Sequence, residues 1–145
     1  MNYYFWIPVA VLLILLIAAF YKKYKLLKNM DQTPNSSHLL ELTDATFKKT
    51  IQKGVTLVDF WAPWCMPCKI QGPIVNEVAE LMHDKATISK INIDIHKRTA
   101  SELGIRSIPT IIIFKDGKIV TKLVGAKTKN VLTKAINDAL KGLTI

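Results

Sequence analysis

Cys65 and Cys68, the two cysteines of the chain, stand two residues apart in the stretch WAPWCMPCK. Two thiols at this spacing can be a redox couple, half of a metal site, or inert core residues. A run of β-forming residues precedes them and a helical pattern follows, so Cys65 is expected at or just before the first turn of a helix. Unpaired backbone N–H groups and the helix dipole stabilise a thiolate there and lower its pKa from about 8.5 to roughly 3.5–7.5.

Cys68 is predicted to lie one turn further into this helix and to be less exposed than Cys65. From that position its thiol can reach back to Cys65 and resolve a mixed disulfide. Because only a thiolate attacks a disulfide, this arrangement favours a pair that passes two electrons.

The alternatives for the pair have less support. A structural zinc site needs four ligands, and the three histidines of the chain have no ligand spacing relative to the cysteines. A soft Cu(I) site that includes the thioether of Met66 is the remaining metal interpretation. A structural disulfide closing so small a loop constrains the unfolded chain little. We therefore expect no bound metal. The histidines are His38, His83 and His96.

From Leu39 onward the chain alternates between strand-like and helix-like patterns, giving the order β-α-β-α-β-α-β-β-α. This order predicts an α/β fold whose mixed central sheet is flanked by helices, parallel at its start and ending in an antiparallel hairpin. The expected strands are LLEL, TLVDFWA (56–62), ATISKINID (86–94) and two strands around the turn at 115–118. The expected helices are one capped by Thr43 and stopped by Gly54, one over CKIQGPIVNEVAELMHD with a kink at Pro73, KRTASEL before Gly104, and TKNVLTKAINDALKGL.

The length of 145 residues suits one domain. Hydrophobic residues make up 50% of the chain and charged residues 21%, a composition typical of folded proteins. The formal net charge is +9, but four lysines near the N-terminus supply much of it (Lys22, Lys23, Lys25 and Lys28). The rest is mildly basic, without a dense Lys/Arg stripe interleaved with aromatic residues. Nucleic-acid binding is therefore not expected.

The run from Tyr3 to Tyr21 contains 19 residues without a charge. As a helix it spans about 28 Å, close to the hydrocarbon core of a bilayer, so residues 3–21 are predicted to cross a membrane. Aromatic residues at both ends of the run suit the interfaces: Tyr3, Tyr4, Trp6, Tyr21 and Tyr24. A cleaved signal peptide fits less well, because no basic residue precedes the run and no small-residue cleavage site follows it.

Four lysines follow the apolar run, and the positive-inside rule places that side in the cytoplasm. The high usage of Lys, Ile and Asn is typical of an AT-rich bacterial genome. We thus expect a single-pass protein of the bacterial inner membrane with a cytoplasmic soluble domain; the alternative is a domain facing the periplasm. The predicted organisation is a membrane anchor with its basic flank at 1–28, a linker at 29–38 and one domain at 39–145.

Several separated motifs of the domain resemble the thioredoxin family. They are VDFWAPWCMPCK, then Pro73, KINID, GIRSIPTIIIFKDGK and VGA, and the similarity covers roughly residues 39–143. The resemblance implies the thioredoxin fold after one N-terminal transmembrane helix. It also implies a protein-disulfide reductase that works through the Cys65/Cys68 dithiol and binds no cofactor.

The same resemblance assigns roles at the reacting centre. Cys65 is the nucleophile and Cys68 is the resolving thiol. Asp59 is the buried acid that accepts a proton from the resolving cysteine, and Lys90 is the cation that tunes it. A carboxylate inside an apolar run should have a raised pKa, which suits a proton acceptor near neutral pH.

The resemblance also implies a substrate surface. Pro109 corresponds to the family's cis-proline, which exposes the backbone at Ile108 for strand-like pairing with an extended substrate segment. Gly125 leaves room for the substrate backbone to approach. The implied substrate-binding residues are Trp64, Met66, Pro67, Ile108, Pro109 and Gly125.

Two positions depart from the family pattern. Met66-Pro67 stands where Gly-Pro is usual between the cysteines, and this dipeptide tunes thiol pKa and reduction potential. Ser107 stands where many members have glycine beside the proline. Neither change removes a chemical group that the mechanism needs.

The resemblance implies protein disulfides as substrates and, for a cytoplasmic domain, a thioredoxin reductase drawing on NADPH as the electron donor. An envelope-facing protein would instead serve disulfide exchange or cytochrome maturation. A different class of function is a tethered binding module that holds a partner in the groove without turnover.

Overall fold

The structure is a computed structural model that describes residues 6–30 and 36–143. It divides into two compact units, Met1–Thr33 and Pro34–Ile145. Tyr3 and Tyr4, the middle of the predicted linker at 31–35 and the last two residues of the predicted domain lie outside the described residues.

The first unit contains helix α1, Trp6–Met30. Its segment Ile7–Lys25 has 19 residues and a mean hydropathy of 1.8, which are the length and composition of a membrane span. A signal sequence near an N-terminus has the same properties. The helix ends two residues beyond the predicted anchor end at residue 28, because neither glycine nor proline interrupts residues 9–30.

The second unit contains the predicted order of strands and helices. Its strands are β1 (Leu39–Leu42), β2 (Val55–Trp61), β3 (Thr87–Asn92), β4 (Thr110–Lys115) and β5 (Lys118–Val124). Its helices are α2 (Phe47–Ile51), α3 (Met66–Met82), α4 (Lys97–Glu102) and α5 (Lys129–Leu140).

The five strands form one sheet in the order β1-β3-β2-β4-β5. Strand β3 pairs in parallel with β1 and β2, whereas β4 pairs antiparallel with β2 and β5. The central strand β2 is buried along almost its whole length, as its continuous apolar run predicts. The mixed sheet with a terminal antiparallel hairpin is confirmed.

Alternate residues of the central strands face two different helical layers. Leu57 packs in a cluster with residues of α3 and α5, such as Val78 and Ile136. Its neighbour Val58 packs on the opposite face with Phe47 and Ile51 of α2. This two-residue periodicity decides which side chains of β2 face the helix that carries the cysteines.

Helix α2 begins later than the sequence indicates. Thr43 was the expected N-cap, but residues 44–46 form a turn, and Phe47 is the first helical residue. The side chain of Asp44 accepts hydrogen bonds from the backbone N–H and the hydroxyl of Thr99, at 2.9 and 2.6 Å. This tertiary contact holds the turn against α4. Thr43 still makes local capping bonds, since its Oγ1 accepts from the Thr46 N–H at 3.2 Å and its carbonyl oxygen accepts from the Phe47 N–H at 2.9 Å. Pro73 lies inside α3 without ending it, as predicted.

The end of the predicted linker belongs structurally to the domain. The backbone N–H of Ser36 donates to Asn76 Oδ1 at 3.2 Å, and its hydroxyl donates to Glu80. The imidazole rings of His38 and His83 stack with centroids 4.1 Å apart. Residues 36–38 are thus held against α3, because polar groups of that helix offer them hydrogen bonds.

Candidate active site

Five loops of the domain lie at one edge of the sheet, and four of them carry residues of the candidate site. Strand β2 ends at Trp61, opposite Asn92 at the end of the parallel strand β3. The antiparallel strand β4 begins at Thr110, which pairs with Phe60 and with Val124 at the end of β5. The loops after β2, after β3, before β4 and after β5 therefore meet at the same edge. Ligands of open α/β sheets commonly bind beyond such an edge.

The cysteine pair occupies the first of these loops and the start of α3. Cys65 is the N-cap residue of α3, and its Sγ accepts a hydrogen bond from the backbone N–H of Cys68 at 3.2 Å. The two residues form a disulfide with their Cα atoms 5.2 Å apart. The predicted position of Cys65 at the helix start is confirmed.

The expected difference in exposure between the two cysteines is absent. Cys65 is 5% exposed and Cys68 is 4% exposed. Both residues are buried at the start of α3 in the disulfide form that the structure describes.

Exposed side chains flank the disulfide. Trp64 is 68% exposed and Met66 is 55% exposed, and Pro67 is also exposed. The indole Nε1 of Trp64 donates a hydrogen bond to Asp94 Oδ2 at 2.9 Å. Sequence reasoning did not single out Asp94, although its place at the end of KINID, just beyond β3, puts it at the edge where the cysteines lie.

Asp59 lies on β2 and is 3% exposed. It stands two residues from Leu57 along the strand, so its side chain faces the helical layer of α3 and α5. Its Oδ1 has no hydrogen-bond partner among the described residues. Burial raises the pKa of this carboxyl to about 7, against the opposing effect of the Lys90 ammonium. The raised pKa agrees with the expectation from the apolar run.

Lys90 lies on β3 directly opposite Asp59. Its Nζ forms an ion pair with Glu41 Oε1 of β1 at 3.0 Å and lies 5.2 Å from the ring centroid of Trp61. Glu41 is itself the register partner of Lys90. Three charged residues thus follow one another across β1, β3 and β2, and only Asp59 is fully buried among them.

The loops before β4 and after β5 bring together the remaining predicted residues. The Ile108–Pro109 peptide bond is cis, which agrees with the expected cis-proline. The backbone N–H of Gly125 donates to the carbonyl oxygen of Pro109 at 2.8 Å. Gly125 has a φ of 81°, a left-handed conformation that glycine adopts without strain. Pro109 is buried, and Ile108 is half-buried.

His38 and His83 lie away from these loops, whereas His96 is the last residue of the loop after β3. His38 stacks on His83, and His96 Nδ1 accepts a hydrogen bond from the backbone N–H of Asp44 at 3.4 Å. Within residues 6–30 and 36–143, no group of three or more His, Cys, Asp or Glu side chains is arranged to hold a metal ion.

Comparison with known proteins identifies similarity to one family. The thioredoxin family model matches residues 38–138. Thioredoxin of Bacillus subtilis (strain 168) is 42% identical over 102 residues, which are 70% of this chain and 98% of that protein. Thioredoxin 2 of Chlorobaculum tepidum is 45% identical over 105 residues, 71% of this chain and 96% of that protein. Thioredoxin 1 of Synechococcus elongatus is 46% identical over 101 residues, 68% and 94% of the two chains.

Helix α1 lies outside the family match, whereas the sheet, α3 and the cysteine pair lie within it. The redox-active cysteine pair at the N-terminus of α3 and the similarity to these relatives both indicate thiol-disulfide exchange. The chain belongs to the thioredoxin family and is a thiol-disulfide oxidoreductase.

Proposed function

We propose that this protein is a membrane-tethered thioredoxin that reduces protein disulfides, with Cys65 as the nucleophile and Cys68 as the resolving thiol. The observation that carries the assignment is the hydrogen bond from the Cys68 N–H to Cys65 Sγ at the start of α3. Backbone N–H groups and the dipole of a helix N-terminus favour negative charge on that sulfur, and the thiolate is the attacking species.

The reaction has two displacements. The Cys65 thiolate attacks one sulfur of a substrate disulfide, forms a mixed disulfide and releases the first substrate thiolate. Cys68 then loses its proton and attacks Cys65 Sγ, which closes the Cys65–Cys68 disulfide and releases the second substrate thiolate. The substrate gains two electrons, the dithiol loses two, and the released thiolates are protonated.

Asp59 is proposed to accept the proton of Cys68. A pKa of about 7 lets its carboxyl exchange a proton near neutral pH, and its side chain faces the helix that carries Cys68. Lys90 is proposed to stabilise the carboxylate that would otherwise be strongly disfavoured by burial.

The substrate groove is proposed to lie between the loops at the same sheet edge. The backbone at Ile108 offers strand-like pairing, and Gly125 on the other side has no Cβ to obstruct an approaching chain. The exposed side chains of Trp64, Met66 and Pro67 border the disulfide and supply apolar contact.

Trapping experiments with the full-length protein in detergent test these roles. In the reduced Cys68→Ser variant, a protein disulfide substrate should form a covalent complex through Cys65 that persists until a thiol reductant is added. The matched Cys65→Ser variant should trap far less complex, because the remaining thiol lacks the position at the helix cap. Equal trapping by both variants would contradict the assignment of Cys65 as nucleophile.

Helix α1 is proposed to anchor the protein in the bacterial inner membrane, with the domain in the cytoplasm. The length and hydropathy of Ile7–Lys25 support a span, and the lysines that end it support this orientation. A cytoplasmic domain would be re-reduced by a thioredoxin reductase that draws on NADPH. A periplasmic domain would instead take part in envelope disulfide exchange or cytochrome maturation.

Labelling in spheroplasts distinguishes the two sides. The Cys68→Ser variant keeps one thiol and cannot close its own disulfide, so it is reduced with a permeant thiol, washed and treated with a membrane-impermeant maleimide. Labelling only after lysis is expected for the cytoplasmic orientation. Labelling of intact spheroplasts would overturn that orientation and support the envelope-facing function.

A further inference from the structure

Gln71 is a buried polar residue of α3 that the proposed mechanism does not use. It follows Cys68 by one helical turn and is 0% exposed. Its Oε1 accepts a hydrogen bond from the backbone N–H of Lys127 at 2.7 Å, whereas its Nε2 has no partner among the described residues. An amide buried with one end unsatisfied has a free-energy cost, which the hydrogen bond from the Lys127 N–H offsets. The hydrogen bond from the Lys127 N–H therefore indicates that Gln71 holds the segment around Lys127 in place.

That bond fixes the loop of residues 125–128, which joins β5 to α5. A second bond, from the Gly125 N–H to the Pro109 carbonyl, holds the other end of the loop beside the cis-proline. Beyond the loop, Lys129 Nζ contacts Glu77 Oε2 of α3 at 3.0 Å. Among these contacts, the bond between Gln71 and the Lys127 N–H is the one made by a fully buried side chain. It connects the loop to α3, the helix that carries the cysteines.

The loop in turn places a positive charge beside Gly125. Lys127 Nζ donates to the carbonyl oxygen of Val124 at 2.8 Å. It lies 4.0 Å from the point where a Cβ on Gly125 would stand. No carboxylate of the described residues lies within ion-pair distance of this ammonium. The Lys127 ammonium therefore lies beside the Gly125 wall of the proposed groove, and no carboxylate of the described residues pairs with it.

We infer that Gln71 is a positioning residue for the 125–128 loop and that Lys127 is a specificity residue that favours protein disulfides flanked by acidic side chains. A substrate segment that passes Gly125 brings its own side chains close to Lys127 Nζ, where a carboxylate is attracted and an ammonium repelled. The inference rests on the proposed groove and adds a class of substrate to it.

Two disulfide peptides that differ only by Glu or Gln beside the cysteine test the inference. The reduced full-length protein in detergent is oxidised by each peptide and, as a reference reaction, by the small uncharged disulfide 2,2′-dithiodipyridine. At low salt we expect the Glu peptide to react about two- to fivefold faster, the range of a partly exposed ion pair. The preference should decrease at high salt because screening weakens it.

Variants separate the two roles. In Lys127→Met, the ratio of the rate with the Glu peptide to the rate with the Gln peptide (the Glu/Gln ratio) should be close to one. Gln71→Leu should lower the ratio and raise the half-saturating concentration of both peptides while the maximal rate changes little, because the loop loses its fixed position. Gln71→Met serves the same purpose if the leucine variant does not fold. The matched control is Ser89→Ala, which removes another buried bond, from Ser89 Oγ to the Leu57 carbonyl at 2.7 Å, and should leave the ratio unchanged.

Other outcomes overturn the inference. A ratio of one in the unmodified protein, or a preference that survives in Lys127→Met, rules out the specificity role. A Gln71 variant with unchanged ratio and half-saturating concentration rules out the positioning role. If the protein reacts with 2,2′-dithiodipyridine but reduces neither peptide, the proposed function fails, and the inference fails with it.

Discussion

Asp59 and Lys90 stand directly opposite each other on the parallel strands β2 and β3. Both side chains face the layer of α3 and α5, because each stands two residues from a strand residue of that core cluster, Leu57 or Ile88. The buried carboxyl therefore lies in this layer, and the Lys90 ammonium opposes the effect of burial on its pKa. This pairing connects the pH dependence of stability with the pH dependence of the redox reaction.

Replacing Asp59 by Asn should remove a pH dependence of stability. The folded-state pKa of about 7 lies above the ordinary value of 3.8, so the stabilising contribution is complete below pH 3.8 and is lost as pH rises through 7. Above that pH the buried charge destabilises the protein by at most about 4 kcal/mol. Denaturant unfolding of the oxidised protein should therefore show Asp59→Asn gaining stability over the unmodified protein as pH rises. If the free energies of unfolding of the two proteins changed with pH in parallel, the raised pKa of Asp59 would be contradicted.

The same substitution should slow release of the reduced substrate. Loss of a general base costs on the order of 10² in rate, and the inflection near pH 7 should disappear with it. Rapid-quench measurement of mixed-disulfide decay gives this rate. Glu77→Gln, which removes an exposed carboxylate of α3, is the control and should keep the profile of the unmodified protein.

Replacing Lys90 by Met should raise the pKa of Asp59 further, since the ammonium opposes the effect of burial. The pH profile of mixed-disulfide decay should then move to higher pH. The matched variant is Glu41→Gln, which removes the exposed carboxylate that pairs with the half-buried Lys90 but leaves the cation in place. A shift to higher pH in Glu41→Gln as large as that in Lys90→Met would argue against a direct effect of Lys90.

Asp44 should contribute to stability in the opposite pH direction. Hydrogen bonds from the hydroxyl and the backbone N–H of Thr99 hold the pKa of this carboxyl below its usual value of 3.8. Its contribution is therefore present above about pH 4 and is lost as pH falls through the lowered pKa. Asp44→Ala should lower the thermal midpoint at pH 7, and the difference should shrink in strong acid. A difference that stays constant down to pH 2 would show that the charge is not involved.

Phe114 should be a large contributor to the core on the α2 face. It is 1% exposed and makes an edge-to-face contact with Phe47, with ring centroids 5.6 Å apart. Phe114→Ala should lower the free energy of unfolding by about 3–5 kcal/mol through lost contacts and a cavity. Phe114→Leu should lower it by less than half of that loss, because it fills most of the space. Similar losses for the two variants would argue against cavity formation as the cause.

Local patterns predicted most of the fold and the reacting residues. The apolar run of β2, the helical spacing after Cys68 and the Asp116-Gly117 turn each depend on neighbours in sequence, and the structure agrees with all three. The resemblance added the cis bond before Pro109, which no local pattern indicates.

Contacts between distant residues account for what the sequence did not predict. Gln71 and Lys127 are 56 residues apart, and a glutamine among apolar helix positions gives no sign of its partner. The contact that holds the turn before α2 joins Asp44 to Thr99, which stands 55 residues away. Side-chain pairing between separate elements becomes visible only when the sheet brings those elements together.

The central claim is that Cys65 and Cys68 pass two electrons to a protein disulfide. The most direct test mixes the fully reduced, full-length protein with an excess of a disulfide-bonded protein such as insulin and counts the thiols that appear. We predict two substrate thiols for each molecule whose Cys65–Cys68 disulfide closes, and none from a variant with both cysteines replaced by serine. Substrate that stays bound without gaining thiols would contradict the claim and indicate a tethered binding module.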